Sequence, residues 1–118
     1  MTDAEARAFA AEWVSAFNAH DVELVLSHYA PDVRLISPFY LRYSDGRTDE
    51  VCGLDDLRSY FSSALNRFPN LRFEMLEVAV GSRGMCIRYH TNLDDRIAME
   101  CVELDRTGRA VRVTCHYV

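Results

Sequence analysis

"NAHDVELVLSHYAPDV", residues 18–33, sets two histidines and two aspartates inside sixteen positions. His20, Asp21, His28 and Asp32 could form a site or could punctuate a scaffold, and their neighbours favour the scaffold. Asp21 is placed to accept the free amide hydrogens of a helix that starts at Val22, and Val22, Val25, Leu26 and Tyr29 give that helix one apolar stripe until Pro31 stops it. His20 packs at the joint or stays in water, Asp32 follows the proline in a turn, and His28 lies on the helix edge.

Upstream, Thr2 and Glu5 match a Thr-x-x-Glu capping box, after which Phe9, Trp13 and Phe17 recur every four residues. A first helix over residues 3–18 follows, so two helices meet at "NAHD". Downstream, "VRLIS" (residues 33–37) alternates as a short strand that Pro38 ends. Residues 39–53 carry a "SDGR" turn signal and read as a loop, a flexible hairpin or a lid. Leu54, Leu57, Phe61, Ala64, Leu65 and Phe68 trace a third amphipathic helix that Pro69 terminates.

From Leu71 the period changes from 3.6 to 2, and four antiparallel strands are separated by turns near "GSRG", "LDDR" and "DRTGRA". A two-residue turn at Asp94 and Asp95 sets Tyr89 opposite Glu100, Ile87 opposite Val102 and Met85 opposite Leu104. On the face so defined, two rows are aliphatic, and two others gather Glu74, Tyr89, Thr91, Glu100, Cys115 and Tyr117. Three N-terminal helices covering a curved, mainly antiparallel sheet, with polar groups at one end of the covered face, describe an α+β cone with a pocket.

At 118 residues the chain is read as one domain, residues 1–118, with 49% hydrophobic and 26% charged residues, the balance of a soluble globular protein. No apolar run approaches the roughly 18 residues of a membrane span, and the acidic start "MTDAEARAFA" lacks a signal-peptide core, so a cytoplasmic address and no membrane partner are expected. A net charge of -5 opposes a phosphate backbone, which argues against nucleic acid. The four cysteines show no CxxC spacing and are expected to be reduced thiols.

The succession of helix, "NAHD" joint, "YAPDV", "ISP" strand, "GLDDLRSYF" helix (residues 53–61) and four long strands resembles the nuclear transport factor 2-like superfamily, above all its SnoaL-like members. The resemblance spans nearly the whole chain and implies the cystatin-like cone roll. It implies less about activity, because that fold serves isomerases, dehydratases, cyclases, epoxide hydrolases and proteins without catalysis. A steroid isomerase of the superfamily is similar across "EWVSAFNAHD", "DVRLISP" and "VELDRTGRAV". By that resemblance its oxyanion-binding tyrosine falls at Trp13, its general-base aspartate at Ser37 and its protonated aspartic acid at Glu100. Only the third keeps its chemistry, so the isomerase triad is not expected to operate.

Glu100 is therefore the candidate catalytic group, as proton shuttle or hydrogen-bond donor, against the alternative of a structural carboxylate satisfied by Tyr89, Trp13 or Arg72. Trp13, Phe17, Tyr29, Ser37, Tyr89, Cys115 and Tyr117 are the candidate ligand-binding residues. Cofactor-free proton transfer on a small, partly apolar molecule is the expected chemistry, and a non-catalytic homodimeric binding or assembly module is the competing reading. On the opposite sheet face the register makes a row of Met75, His90, Met99 and His116. Its histidines, roughly 9 to 10 Å apart, are too distant to share a metal ion in one chain. Phe73, Met75, Met99, Cys86 and Cys101 make that face apolar, and the resemblance implies that such faces pair, so a homodimer is expected through Met75, His90, Met99, Cys101 and His116. Cys86 and Cys101 are expected to sit diagonally, roughly 7 Å apart.

Overall fold

The computed structural model describes all 118 residues. Helix α1 (Asp3–Asn18) starts where Thr2 accepts from the Glu5 amide at 3.1 Å, and α2 (Val22–Leu26) starts where Asp21 accepts from the Leu24 amide at 3.1 Å. Both expected caps are in place. Helix α2 is only five residues long, however, and strand β1 (Tyr29–Ile36) begins before Pro31. The proline falls in the stretch where the β1 pairing is irregular, between Tyr29 and Arg34, which is how a residue without an amide hydrogen is accommodated in a strand.

Residues 39–53 hold more structure than a loop. Ser37 caps a short helix α3 (Pro38–Tyr43) with proline in its first turn, and β2 (Glu50–Cys52) folds back antiparallel on β1. The fold thus has four helices rather than three, two of them short. Helix α4 (Leu54–Arg67) then leads to β3 (Phe73–Val80), β4 (Gly84–Thr91), β5 (Arg96–Leu104) and β6 (Ala110–Tyr117). One six-stranded sheet results, ordered β2-β1-β6-β5-β4-β3, antiparallel except where β1 runs parallel to β6. The core lies between the helices and this sheet, with Trp13, Val33, Leu35, Leu57 and Ile87 among its fully buried side chains.

The β5–β6 register agrees with the alternation where it sets Glu100 opposite Cys115 and Val102 opposite Val113, but an irregularity after Glu103 pairs Leu104 with Ala110 rather than with Val111. Two other pairings differ from expectation. Between β4 and β5 the loop is four residues long, so Ile87 faces Glu100, Tyr89 faces Ala98 and Met85 faces Val102. Asn92 is drawn into the loop because its side chain accepts from the Arg72 amide at 2.8 Å and donates to Asn70 O at 2.6 Å. A two-residue slip preserves the face of every side chain, so Glu100 still points inward.

In β3 an extra residue, Leu76, makes a bulge between Met75 and Glu77, and a one-residue shift does exchange the faces. Phe73, expected outside, pairs with Thr91 and packs inward at 5.6, 4.9 and 4.6 Å from the rings of Trp13, Phe17 and Tyr89. Glu74, expected on the helix-covered face at the pocket rim or in solvent, pairs with His90 and is exposed on the other face. Met75 is now the partner of Tyr89, which takes it out of the outer row. That row instead runs Glu77, Arg88, Met99, His116, while His90 faces Ile97. Cys86 and Cys101 are directly opposite each other rather than diagonal.

Candidate functional site

Side chains from eight elements, α1, β1, α3, α4 and β3 to β6, meet at the open end of the cone. Strand alternation points Tyr89 of β4, Glu100 of β5, and Cys115 and Tyr117 of β6 toward the helices. Ser37, at the end of β1, is buried and accepts from the Phe39 amide at 3.2 Å, which turns the chain into α3. Helix α1 adds Phe17, and α4 adds Tyr60 and Phe61. These groups enclose a cavity of about 70 Å³, with Phe39, Phe73, Thr91 and Leu93 completing the wall.

Glu100 is 6% exposed, and the Tyr89 hydroxyl donates to its Oε1 at 2.6 Å. Burial raises its carboxyl to about 7, and hydrogen bonds from Tyr89 and Cys115 hold it below where burial alone would put it. At neutral pH this group is poised between acid and base. Its surroundings remain protonated. Burial, and then the charge of Glu100, push the Tyr89 hydroxyl and the Cys115 thiol well above their ordinary ranges. Tyr117 and Tyr60 are raised too, chiefly by burial, with Ser37 countering part of the effect in each. The cavity wall therefore offers neutral hydroxyl donors around one titrating carboxyl, and no Lys, Arg or His lines it.

Of the candidate residues, Glu100, Phe17, Ser37, Tyr89, Cys115 and Tyr117 come together around this cavity. Trp13 and Tyr29 stand behind it: the indole N–H donates to the Tyr29 hydroxyl at 2.8 Å, both residues are buried, and neither belongs to the cavity wall. Trp13 packs edge-on against Tyr89 at 5.3 Å, so it supports the residue that holds Glu100. Neither Trp13 nor Arg72 satisfies the carboxylate; Tyr89 does. Tyr60, Phe39 and Phe73 were missed. Tyr60 precedes the apolar Phe61 in "DDLRSYF" and borders the stripe, a signal that was available. Phe39 lay in a segment read as a loop, and Phe73 was hidden by the bulge.

The histidines lie elsewhere. His20 Nε2 donates to Leu71 O at 2.8 Å, and His28 is nearly buried with Nδ1 3.1 Å from Leu24 O and Nε2 3.5 Å from Glu12. His90 Nε2 is 2.6 Å from Asp95. No three metal-ligating side chains converge anywhere in the chain.

Residues 10–118 match the sequence profile of the SnoaL-like domain. The chain belongs to the SnoaL-like family. A SnoaL-like protein of unknown function from Burkholderia thailandensis is similar over 100% of this chain and 98% of its own, at 31% identity and a TM-score of 0.93. A protein of cystatin-like fold from Methylobium petroleophilum superposes at 14% identity and a TM-score of 0.80, covering 100% of this chain and 78% of that one. The epoxide hydrolase/cyclase-like enzyme SalBIII of salinomycin pyran-ring formation does so at 14% identity and a TM-score of 0.78, covering 100% and 95%. At such identities the last two comparisons show a common fold and nothing further. No curated protein matches the chain.

Proposed function

We propose that this SnoaL-like protein binds a small, uncharged, partly apolar molecule in the Glu100 cavity and moves a proton on it without a cofactor. The observation that carries this reading is a buried carboxyl, raised to about 7, at the wall of a cavity whose other polar groups are neutral donors. Such a carboxyl accepts a proton from carbon or oxygen in one half-reaction and returns it in the other, as isomerisation, cyclisation and dehydration require. Tyr117 and Tyr60, both in the cavity wall, would donate to a ligand oxygen, and the lack of any cation in the wall disfavours carboxylates and phosphates. That SalBIII carries the description of an epoxide hydrolase/cyclase-like enzyme is compatible with this class of chemistry.

A second reading rests on size. A cavity of about 70 Å³ has room for about two waters, which suits a non-catalytic module whose own aromatics fill the cone. For either reading we propose a homodimer through the outer sheet face around Ile97, Met99 and His116, a partly apolar surface with Met99 39% exposed. A cytoplasmic address is proposed with it, in keeping with four free cysteines and with no helix long and apolar enough to cross a membrane.

The test is a thermal-shift screen of small ketones, enones and epoxides on the wild type and Glu100→Gln, followed by proton NMR of each hit in deuterated water. Stabilisation and enzyme-dependent deuterium uptake, both lost in Glu100→Gln, are the expected result. Hits that stabilise both proteins equally and exchange no proton support the binding module and sink the proton-transfer reading. Light scattering at several concentrations checks the dimer, which a monomer throughout would refute.

A further inference from the structure

On the face of the sheet turned away from the cavity, Cys86 of β4 and Cys101 of β5 are register partners. In the same ladder the Leu104 amide donates to Arg83 O at 2.8 Å, which makes Arg83 and Leu104 a hydrogen-bonded pair. Hydrogen-bonded and non-hydrogen-bonded pairs alternate along an antiparallel ladder. Gly84–Glu103 is then non-hydrogen-bonded, Met85–Val102 hydrogen-bonded and Cys86–Cys101 non-hydrogen-bonded. In pairs of that kind the Cα atoms are about 4.5 Å apart and the side chains lean closest together. Disulfides span Cα separations of about 4.4 to 6.8 Å.

Both thiols are free and half-buried, and both line an open groove together with Arg83, Glu103, Arg112 and Thr114. Glu103 is 4.0 Å from Arg83 and 3.9 Å from Arg112, so two guanidiniums share one carboxylate and the groove keeps a positive charge in excess. The other two cysteines lack these features: Cys115 is buried on the opposite face, and Cys52 is exposed on β2 at the far edge of the sheet.

We propose that Cys86 and Cys101 are a redox-active cross-strand dithiol that closes reversibly to a disulfide when a peroxide reaches the outer groove. The Cys86 sulfur attacks the peroxide, giving a sulfenic acid and one water once the released hydroxide takes a proton. The Cys101 sulfur then attacks the sulfenic sulfur, forming the S–S bond and expelling the second water. In total two thiols lose two electrons and two protons, and one hydrogen peroxide becomes two waters. Burial, and then the hydrogen bond and charge of Cys86, raise the Cys101 thiol to about 11, which casts Cys101 as the resolving partner that keeps its proton until the second step.

The pairing also ties the bridge to the cavity wall. In non-hydrogen-bonded pairs the Cβ atoms lie at the short end of the cross-strand range, near about 4.5 Å, next to the about 3.5 to 4.5 Å that a disulfide spans, so closure asks for little movement of β4 and β5. Cys101 follows Glu100, and Cys86 precedes Ile87, the register partner of Glu100.

The experiment treats the full-length protein with hydrogen peroxide, alkylates the remaining thiols with iodoacetamide and reads intact mass and peptide maps. The expected result is a loss of two hydrogens in mass, two fewer alkylated thiols and one Cys86–Cys101 cross-linked peptide, all reversed by dithiothreitol. Cys86→Ser and Cys101→Ser should each abolish the cross-link, and Cys52→Ser should leave it intact. Full alkylation at both positions, overoxidation of either without a cross-link, or a bridge from either to Cys52 or to a second chain would each overturn the proposal. Mapping on the wild type makes the outcome independent of how well any variant folds.

Discussion

The joint between α1 and α2 and the cavity at the end of the sheet are both rich in polar side chains, and they use them in opposite ways. At the joint each side chain is matched to a backbone group: Asn18 donates to Phe73 O at 2.9 Å and accepts from the Phe73 amide at 2.8 Å, His20 holds Leu71 O, and Asp21 caps α2. In the cavity Glu100 is matched to side chains, Tyr89 and Cys115, with open space beside it. A polar group matched to the backbone completes the main-chain hydrogen bonding at that point and serves the fold. A carboxyl held by phenol and thiol can gain or lose a proton without the fold being lost. The contrast separates scaffold from site better than residue type does, since histidine and aspartate crowd the joint while the site's titrating group is a lone glutamate.

Breaking the joint should have the largest effect. Asn18→Ala leaves the Phe73 backbone without both of its side-chain partners where β3 begins, and denaturant melts should register a loss of about 2 to 4 kcal/mol. If the loss is within a few tenths, the joint is not the anchor that its geometry describes. The cavity should instead show itself through pH. The folded-state value of about 7 lies above the ordinary 4.5 of a glutamate, so the folded state holds this proton more tightly than the unfolded chain does. That contribution is fully present below about pH 4.5, declines as pH rises to about 7 and is gone above it. It amounts to about 3 kcal/mol across that window. Glu100→Gln, neutral throughout, should remove this slope, and an unchanged slope would mean that Glu100 titrates as it would in water.

Smaller effects sharpen the same contrast. Tyr89→Phe removes a donor that lowers the Glu100 value, so the midpoint of the pH-stability slope should move to higher pH, with a stability change of about 1 to 3 kcal/mol at pH 8, where the carboxylate loses its bond. Carbon-detected NMR of the Glu100 carboxyl reads the midpoint directly, and a downward shift would contradict the assignment. Asp21→Ala, which deletes only a cap, should cost about 1 kcal/mol in denaturant melts. A loss of several kcal/mol there would make this residue more than a cap and blur the distinction between the two regions.

Much of this architecture was legible in the order of residues. Thr2 and Asp21 announced their helices, and the shift from a period of 3.6 to one of 2 after Pro69 announced the sheet. Alternation alone brought Tyr89, Glu100, Cys115 and Tyr117 to one face, and a mistaken loop length at Asn92 did no harm because the error was even. Leu76 was different. A single bulged residue exchanged Phe73 with Glu74, and its cause lies far off in the chain, where Asn18 grips the Phe73 backbone and the rings of Trp13 and Phe17 accept the phenyl group.

The sequence by itself determined where helices begin, which strand residues share a face and that a carboxylate would be carried inward, because caps and periodicity act over a few neighbouring residues. Tertiary structure alone decided which residues stand opposite one another between β4 and β5 and at the start of β3. It put Cys86 against Cys101, Met75 against Tyr89 and the Trp13 indole against the Tyr29 hydroxyl instead of the cavity. Register depends on loop length and on bulges, and these settle only when side chains distant in sequence compete for the same space and the same backbone partners.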